Sequence, residues 1–194
     1  MFDLTFLGTS ASVPSAERNH PGLLVEAGSD RILVDCGEGS QRQLLRSGAG
    51  FRRLDRLLLT HGHFDHVLGI PGLFSTLRLQ QSADTMTIYG GPGTLQVVAR
   101  MLAGLWGEGR APVPLELVPL SAGRVIDAGE FTVDCFQVRH RNTDSFGFSF
   151  ESRAISSSSF GRGAFDAARS ALRPLHPLDV AYSATLGRFG HLKL

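Results

Sequence analysis

An α/β layered domain is the fold class this sequence predicts, on three observations. Strand-like and helix-like runs alternate through its first hundred residues, as layered α/β domains require. One run, LDRLLLT at 54–60, is almost continuously apolar, the pattern of a strand buried on both faces. Finally, 194 residues of which 42% are hydrophobic suffice for one domain with a sizeable core.

Taken in order, FDLTFLG alternates apolar and polar residues and stops at Gly8, so it reads as a strand. GLLVEA and RILVDC flank the turn chemistry of GSD, and 22–36 reads as a hairpin with Asp35 at a strand end. EGSQRQLLRSG is helical, with Ser40 near its start and Gly48 past its end. LDRLLLT follows and delivers the chain to His61. PGLFSTLRL opens with a proline suited to the first helical position, and MTIYGG is another buried strand. GPGTLQVVARMLAGLW is a further helix. LELVPL and EFTVDCFQVRH are strands, the second ending on His140, with DSFGFSFES as its hairpin partner. Beyond Ile155 the texture changes: ISSSSFGRG reads as a flexible serine and glycine segment, FDAARSALRPL as one short helix and DVAYSAT as one strand-like stretch. There is no internal repeat. The expected organisation is one domain over 1–154 followed by a divergent or truncated tail over 155–194.

A formal charge of +1 gives no overall basic signature, so an acidic polymer would have to be held by a local patch. Cys36 and Cys135 form no CxxC pair, which points to buried reduced thiols and a cytoplasmic protein. The N-terminal MFDLTFLGTSASVP has no basic start, and no stretch approaches the ~18 apolar residues of a membrane span. The expectation is a soluble chain with no membrane partner.

THGHFDH, at 60–66, packs three of the seven histidines and an aspartate into seven positions. In extended chain, residues two apart point the same way, so His61 and His63 present imidazoles to one cation. A turn after Phe64 would aim Asp65 and His66 at a neighbouring position, which hints at two metals. A third ligand for the first must come from elsewhere, and His140 at its own strand end is the best candidate. Asp35 is either a turn residue or an acceptor that orients a ligating histidine. A metal with an open position brings the pKa of bound water to roughly 7, so hydrolysis is the expected reaction, with Asp65 holding the attacking water or taking its proton.

These residues carry a resemblance. HxHxDH after a buried strand resembles the signature of the metallo-β-lactamase superfamily. FLGTSASVP, DCGEGSQRQLL, THGHFDHVLGIPGL and TIYGGPG, in that order, resemble the ribonuclease Z family, endonucleases that trim the 3′ trailer from precursor tRNA. VRHRNTDSFGFSF is similar to that family's third metal motif, with His140 as ligand and Ser145 and Gly147 in the following positions. The resemblance covers residues 2 to about 152. It implies a metallo-β-lactamase-like αββα sandwich with the site where the two sheets meet, two zinc ions in the family, and a homodimer. It places His61, His63 and His140 on one zinc, Asp65 and His66 on the other, Asp65 as proton acceptor and Asp35 as a buried orienting residue. The family's glycine-aspartate-threonine motif and its final histidine are not found in this sequence, so the second half of the sandwich is expected to be incomplete and one or two zincs to bind. GRGAFDAARSAL reads as a remnant of the family's tRNA-gripping arm.

For RNA contact, Arg42, Arg46, Arg52, Arg53 and Arg56 lie within fifteen residues against one acid, Asp55. The alternative is a solvated helix face. Residues 90–94 either offer backbone N–H groups to phosphate or are a capped helix start. Three functions follow: a zinc-dependent tRNA 3′ endonuclease, a hydrolase of smaller phosphodiesters or other esters with the same metal site, and a catalytically dead metal-binding or dimerisation module.

Overall fold

The computed structural model describes residues 2–141 and 143–153 and the backbone of 189–193. The elements are β1 (Phe2–Gly8), β2 (Gly22–Ala27), β3 (Asp30–Val34), α1 (Ser40–Arg46), β4 (Leu54–Leu58), α2 (Phe64–Val67), α3 (Ile70–Gln80), β5 (Met86–Gly90), α4 (Pro92–Trp106), β6 (Leu115–Pro119), β7 (Gly123–Asp127), β8 (Phe131–His140), β9 (Thr143–Ser152) and β10 (Phe189–Lys193). They form a seven-stranded sheet, ordered β10-β1-β2-β3-β4-β5-β6, and a three-stranded sheet, β7-β8-β9.

Strand parity builds the layers. Side chains alternate across a strand, so a sheet covered on both faces sends successive residues into different cores. Leu24, Leu33, Leu57 and Ile88 join Leu44 of α1, Leu73, Phe74 and Leu77 of α3, and Val98 and Leu102 of α4 in one cluster. Their neighbours Leu23, Val25, Ile32, Val34 and Leu58 pack instead with Ile126 of β7 and with Phe131 and Val133 of β8. Phe74, Leu44, Leu73 and Leu77 are fully buried, each contributing about 1.5–3 kcal/mol relative to exposure. The result is helices, large sheet and small sheet in that order, the metallo-β-lactamase-like α/β arrangement with its second half incomplete among the described residues.

Every element expected over 2–152 is present, with ends shifted by a residue or two. Three elements escaped the sequence. β7 is short and half exposed, so its apolar alternation is faint. α2 is a single turn. β10 pairs parallel with β1, Phe2 opposite Phe189 and Thr5 opposite Lys193, so the tail returns a strand to the main sheet. The expected helix at FDAARSALRPL, the strand at DVAYSAT and the remnant arm at GRGAFDAARSAL lie outside the described residues. Among the described residues no helix is long and apolar enough to cross a membrane.

The parallel run β3-β4-β5 positions the site. Its carboxyl ends lie side by side and deliver Asp35, the segment 60–66 and the start of α4 to one edge, where open α/β sheets bind ligands. The hairpin β8–β9 brings His140 to the same edge from the other sheet, and the N–H of Phe146 donates to the carbonyl of Thr60 at 2.8 Å.

Candidate metal centre

Asp35 sits fully buried at the base of the site, with a left-handed φ of 57°. That conformation costs a non-glycine residue roughly 1–2 kcal/mol and persists where surrounding bonds over-determine it. Here the Asp35 N–H donates to Leu58 O at 2.9 Å. Its Oδ1 accepts from the Thr60 N–H at 2.8 Å, and the Thr60 hydroxyl lies 3.0 and 2.9 Å from the two carboxylate oxygens. The Nδ1 of His66 lies 2.8 Å from Oδ2.

This network assigns tautomers. A hydroxyl has one proton, and Thr60 gives its own to Asp35, so its oxygen accepts from His61 Nδ1 at 3.0 Å. His61 is then left with an unprotonated Nε2. His66 donates its Nδ1 proton to Asp35 and turns Nε2 towards Asp65, whose Oδ2 is 3.6 Å away. Orientation of a ligating imidazole through its other nitrogen is the usual support for a metal site. Asp35 is the acceptor at the root of this network.

The free nitrogens converge. His61 Nε2 lies 2.9 Å from His63 Nδ1, and His140 Nε2 lies 3.3 Å from the same atom. Ligand atoms of the three residues all fall within 4.8 Å of one another. His63 Nδ1 holds at most one proton and so can satisfy only one neighbour by hydrogen bonding. Three nitrogens around a tetrahedral ion at 2.0–2.1 Å would stand about 3.3 Å apart, close to the two separations above, so the donor set suits a divalent metal ion. His61 is 2% exposed while His63 and His140 are half-buried, which leaves one side open, as a catalytic rather than a structural site requires.

Electrostatics separate the histidines. Burial, with help from His66, drives His61 down to about 3, so it is neutral and ready to ligate at pH 7. His140 is lowered by burial and by His63. For His66 burial pulls downward, but the charge and hydrogen bond of Asp35 and the charge of Asp65 outweigh it and raise the pKa. Burial pushes Asp65 up, yet the Ser12 N–H at 2.8 Å and His66 hold it below the ordinary carboxylate value. Asp65 is thus an ionised acceptor at neutral pH. Asp65 and His66 together offer two donors to a second position, and among the described residues no third joins them.

The segment is held by close backbone packing. Cys36 N–H donates to His66 O at 2.8 Å, and a Cβ on Gly37 would lie 2.3 Å from Asp65 O, so only glycine fits there. At the start of α4, Asp144 occupies the N–H groups of Gly93 and Thr94, so of the two readings of residues 90–94 the capped helix is the one found. Arg42, Arg46, Arg52 and Arg53 are exposed. Arg56 is half-buried and paired with Asp30 at 3.0 Å and Asp55 at 3.8 Å, so it contributes little free charge. Both cysteines are free and buried. Thr60, Ser12 and Asp144 are the site residues sequence reasoning missed. Only Thr60, abutting His61, carried a local signal.

A family model described as anti-Pycsar protein Apyc1 matches residues 2–162. Two curated proteins named ribonuclease Z are similar over 154 residues: one from Bradyrhizobium sp. (strain ORS 278) at 77% identity and one from Bradyrhizobium diazoefficiens at 79%, each match covering 79% of this chain and 51% of the relative. The chain therefore spans about half the length of the curated relatives it matches. Among solved structures, human tRNase Z, short form, is similar at 31% identity with a TM-score of 0.66, covering 79% of this chain and 64% of that one. A diphosphatase from the PhnP family shares the fold, with a TM-score of 0.62 at 22% identity over 77% of this chain and 63% of that one. This chain belongs to the family that the Apyc1 model describes and, by its curated relatives, to the ribonuclease Z family of the metallo-β-lactamase fold.

Proposed function

We propose that this chain carries the metal-binding half of a zinc-dependent endoribonuclease that removes the 3′ trailer from precursor tRNA. The observation that carries the reading is the convergence of His61 Nε2, His63 Nδ1 and His140 Nε2 on one centre. A zinc ion bound there supplies the acidity that makes coordinated water a nucleophile at neutral pH. The chain's own residues do the rest. Asp35, directly and through Thr60, holds His66 and His61 in the tautomers that ligate. Asp65, kept ionised by Ser12 and His66, accepts the proton of the attacking water, and with His66 it offers donors to a second zinc. The exposed Arg42, Arg46, Arg52 and Arg53 meet RNA phosphates. A domain over 1–154 with a distinct tail, a homodimer and a cytoplasmic setting belong to the same proposal.

A second reading keeps the same three-histidine centre and changes only the substrate. In it the same centre hydrolyses a smaller phosphodiester. One experiment separates these from a catalytically dead metal-binding module: the chain is loaded with zinc, its metal is counted, and it is offered precursor tRNA and a small phosphodiester probe. Trailer removal with one or two zincs per chain supports the endonuclease. Turnover of the small diester alone supports the second reading. Bound metal with neither activity identifies the dead module.

A further inference from the structure

The three converging histidines come from two different sheets. His61 and His63 follow β4 of the large sheet, whereas His140 ends β8 of the small one, 77 residues from His63. Imidazole donors must be placed to a few tenths of an ångström, so something must dock the β8–β9 hairpin onto the other half at this edge. We propose that Asp144 is that positioning residue: closing its carboxylate over the start of α4, it fixes the hairpin end and with it the His140 imidazole. The inference rests on the metal-centre reading above.

Four observations support the assignment. Asp144 follows His140 by four residues, across the turn between the two strands, and in the register of β8 with β9 it faces Arg139, directly before His140. Its Oδ2 accepts from the Gly93 N–H at 2.6 Å and lies 3.4 Å from the Thr94 N, while Oδ1 accepts from the Thr94 hydroxyl at 2.9 Å. The socket is shaped for it: a Cβ on Gly91 would lie 2.3 Å from Oδ2, a distance real Cβ atoms do not tolerate, so GGPG is bare where the carboxylate enters. Thr94, whose hydroxyl donates to Asp144, also packs against the histidine loop, where a Cβ on Gly62 would lie 3.2 Å from its Cα and from its Oγ1. Asp144, Thr94 and Gly62 thus form a continuous bridge from the hairpin of His140 to the residue between His61 and His63. A carboxylate at the start of a fifteen-residue helix also meets the positive end of the helix dipole, which suits a clamp.

The test uses the whole chain, metal-free, titrated with cobalt(II), whose visible absorption reports the number and type of ligands. Asp144→Ala is expected to weaken the first cobalt equivalent by roughly 10- to 100-fold, the range for residues that support metal ligands. Its spectrum should move towards that of His140→Ala. Gly91→Ala, which keeps Asp144 but fills the socket its carboxylate occupies, should do the same. In the His140→Ala background, Asp144→Ala should cause no further loss, because its effect passes through that imidazole. Asp144→Asn, which keeps an acceptor for the Thr94 hydroxyl, should be intermediate, and it replaces the alanine variant if that one does not fold. Affinity and spectrum equal to wild type in these variants, or an equal loss with and without His140, would overturn the inference. A wild-type chain that takes up no cobalt overturns the metal-centre reading, and the inference with it.

Discussion

The two ends of the metal centre are built by different means. At the buried end, His61 and His66 are 2% and 3% exposed and hang from one carboxylate, Asp35, through bonds of 3.0 Å or less. At the open end, His63 and His140 are half-buried, and His140 arrives on a hairpin from the other sheet. The first end depends on a fully satisfied polar network inside a core. The second depends on docking between layers. Damage at the buried end should therefore appear as lost stability and lost metal together, and damage at the open end as lost metal alone.

The largest expected effect sharpens that contrast. His63→Ala removes one of three donors, which forfeits several kcal/mol of metal binding, so zinc affinity should fall by at least about a thousandfold with the metal-free fold intact. Zinc stoichiometry unchanged at micromolar metal would contradict it. Asp35→Ala should do both kinds of harm, because it strands the Thr60 N–H and hydroxyl and the His66 Nδ1–H in a buried site. A loss of about 3 kcal/mol in urea unfolding of the metal-free chain is expected. If the variant keeps wild-type stability, the buried end does not act as one polar unit.

The pH response of the metal-free chain tests the buried end more gently. His61 has its folded value depressed to about 3 against 6.5, so it stays neutral in the fold while the unfolded chain takes up a proton. The stability it provides is present above pH 6.5 and drains away as the pH falls towards 3. His66 has the opposite sign: its raised value adds stability below pH 6.5 that is lost as the pH climbs through the folded pKa. His61→Gln should flatten the acid limb of the urea midpoint between pH 6.5 and 3. An unchanged limb would mean that another group governs it. The smallest effect concerns the surface. Arg42→Ala with Arg46→Ala should weaken RNA binding several-fold and lower the salt slope by about one for each phosphate left without its arginine, with turnover of a small diester unaffected. An equal drop on both substrates would argue against an RNA role for that face.

Much of this was legible beforehand because its signals are local. The strands reveal themselves by continuous or alternating apolar residues, since both faces of the large sheet are covered, and the cluster at 61–66 reveals itself by spacing. Asp35 was visible only as a strand end with two meanings, because its partners Thr60 and His66 stand 25 and 31 positions away. Bonds between distant parts of the chain left no such trace. Ser12 reaches Asp65 across 53 residues and Asp144 reaches Gly93 across 51, and neither position differs in type from an ordinary loop serine or turn aspartate. β7 failed for the opposite reason: its residues are mostly exposed, so no period marks it. Arg56 looked like part of a basic patch because Asp30, which neutralises it, stands 26 positions away.

One carboxylate serving two imidazoles also limits how this centre can diversify. Any change that redistributes charge on Asp35 reaches His61 through Thr60 and His66 directly. A lineage adjusting one position for a different ion or reaction would disturb the other in the same step. Variation is easier at the rim, where His140 and its hairpin can shift without touching that shared anchor.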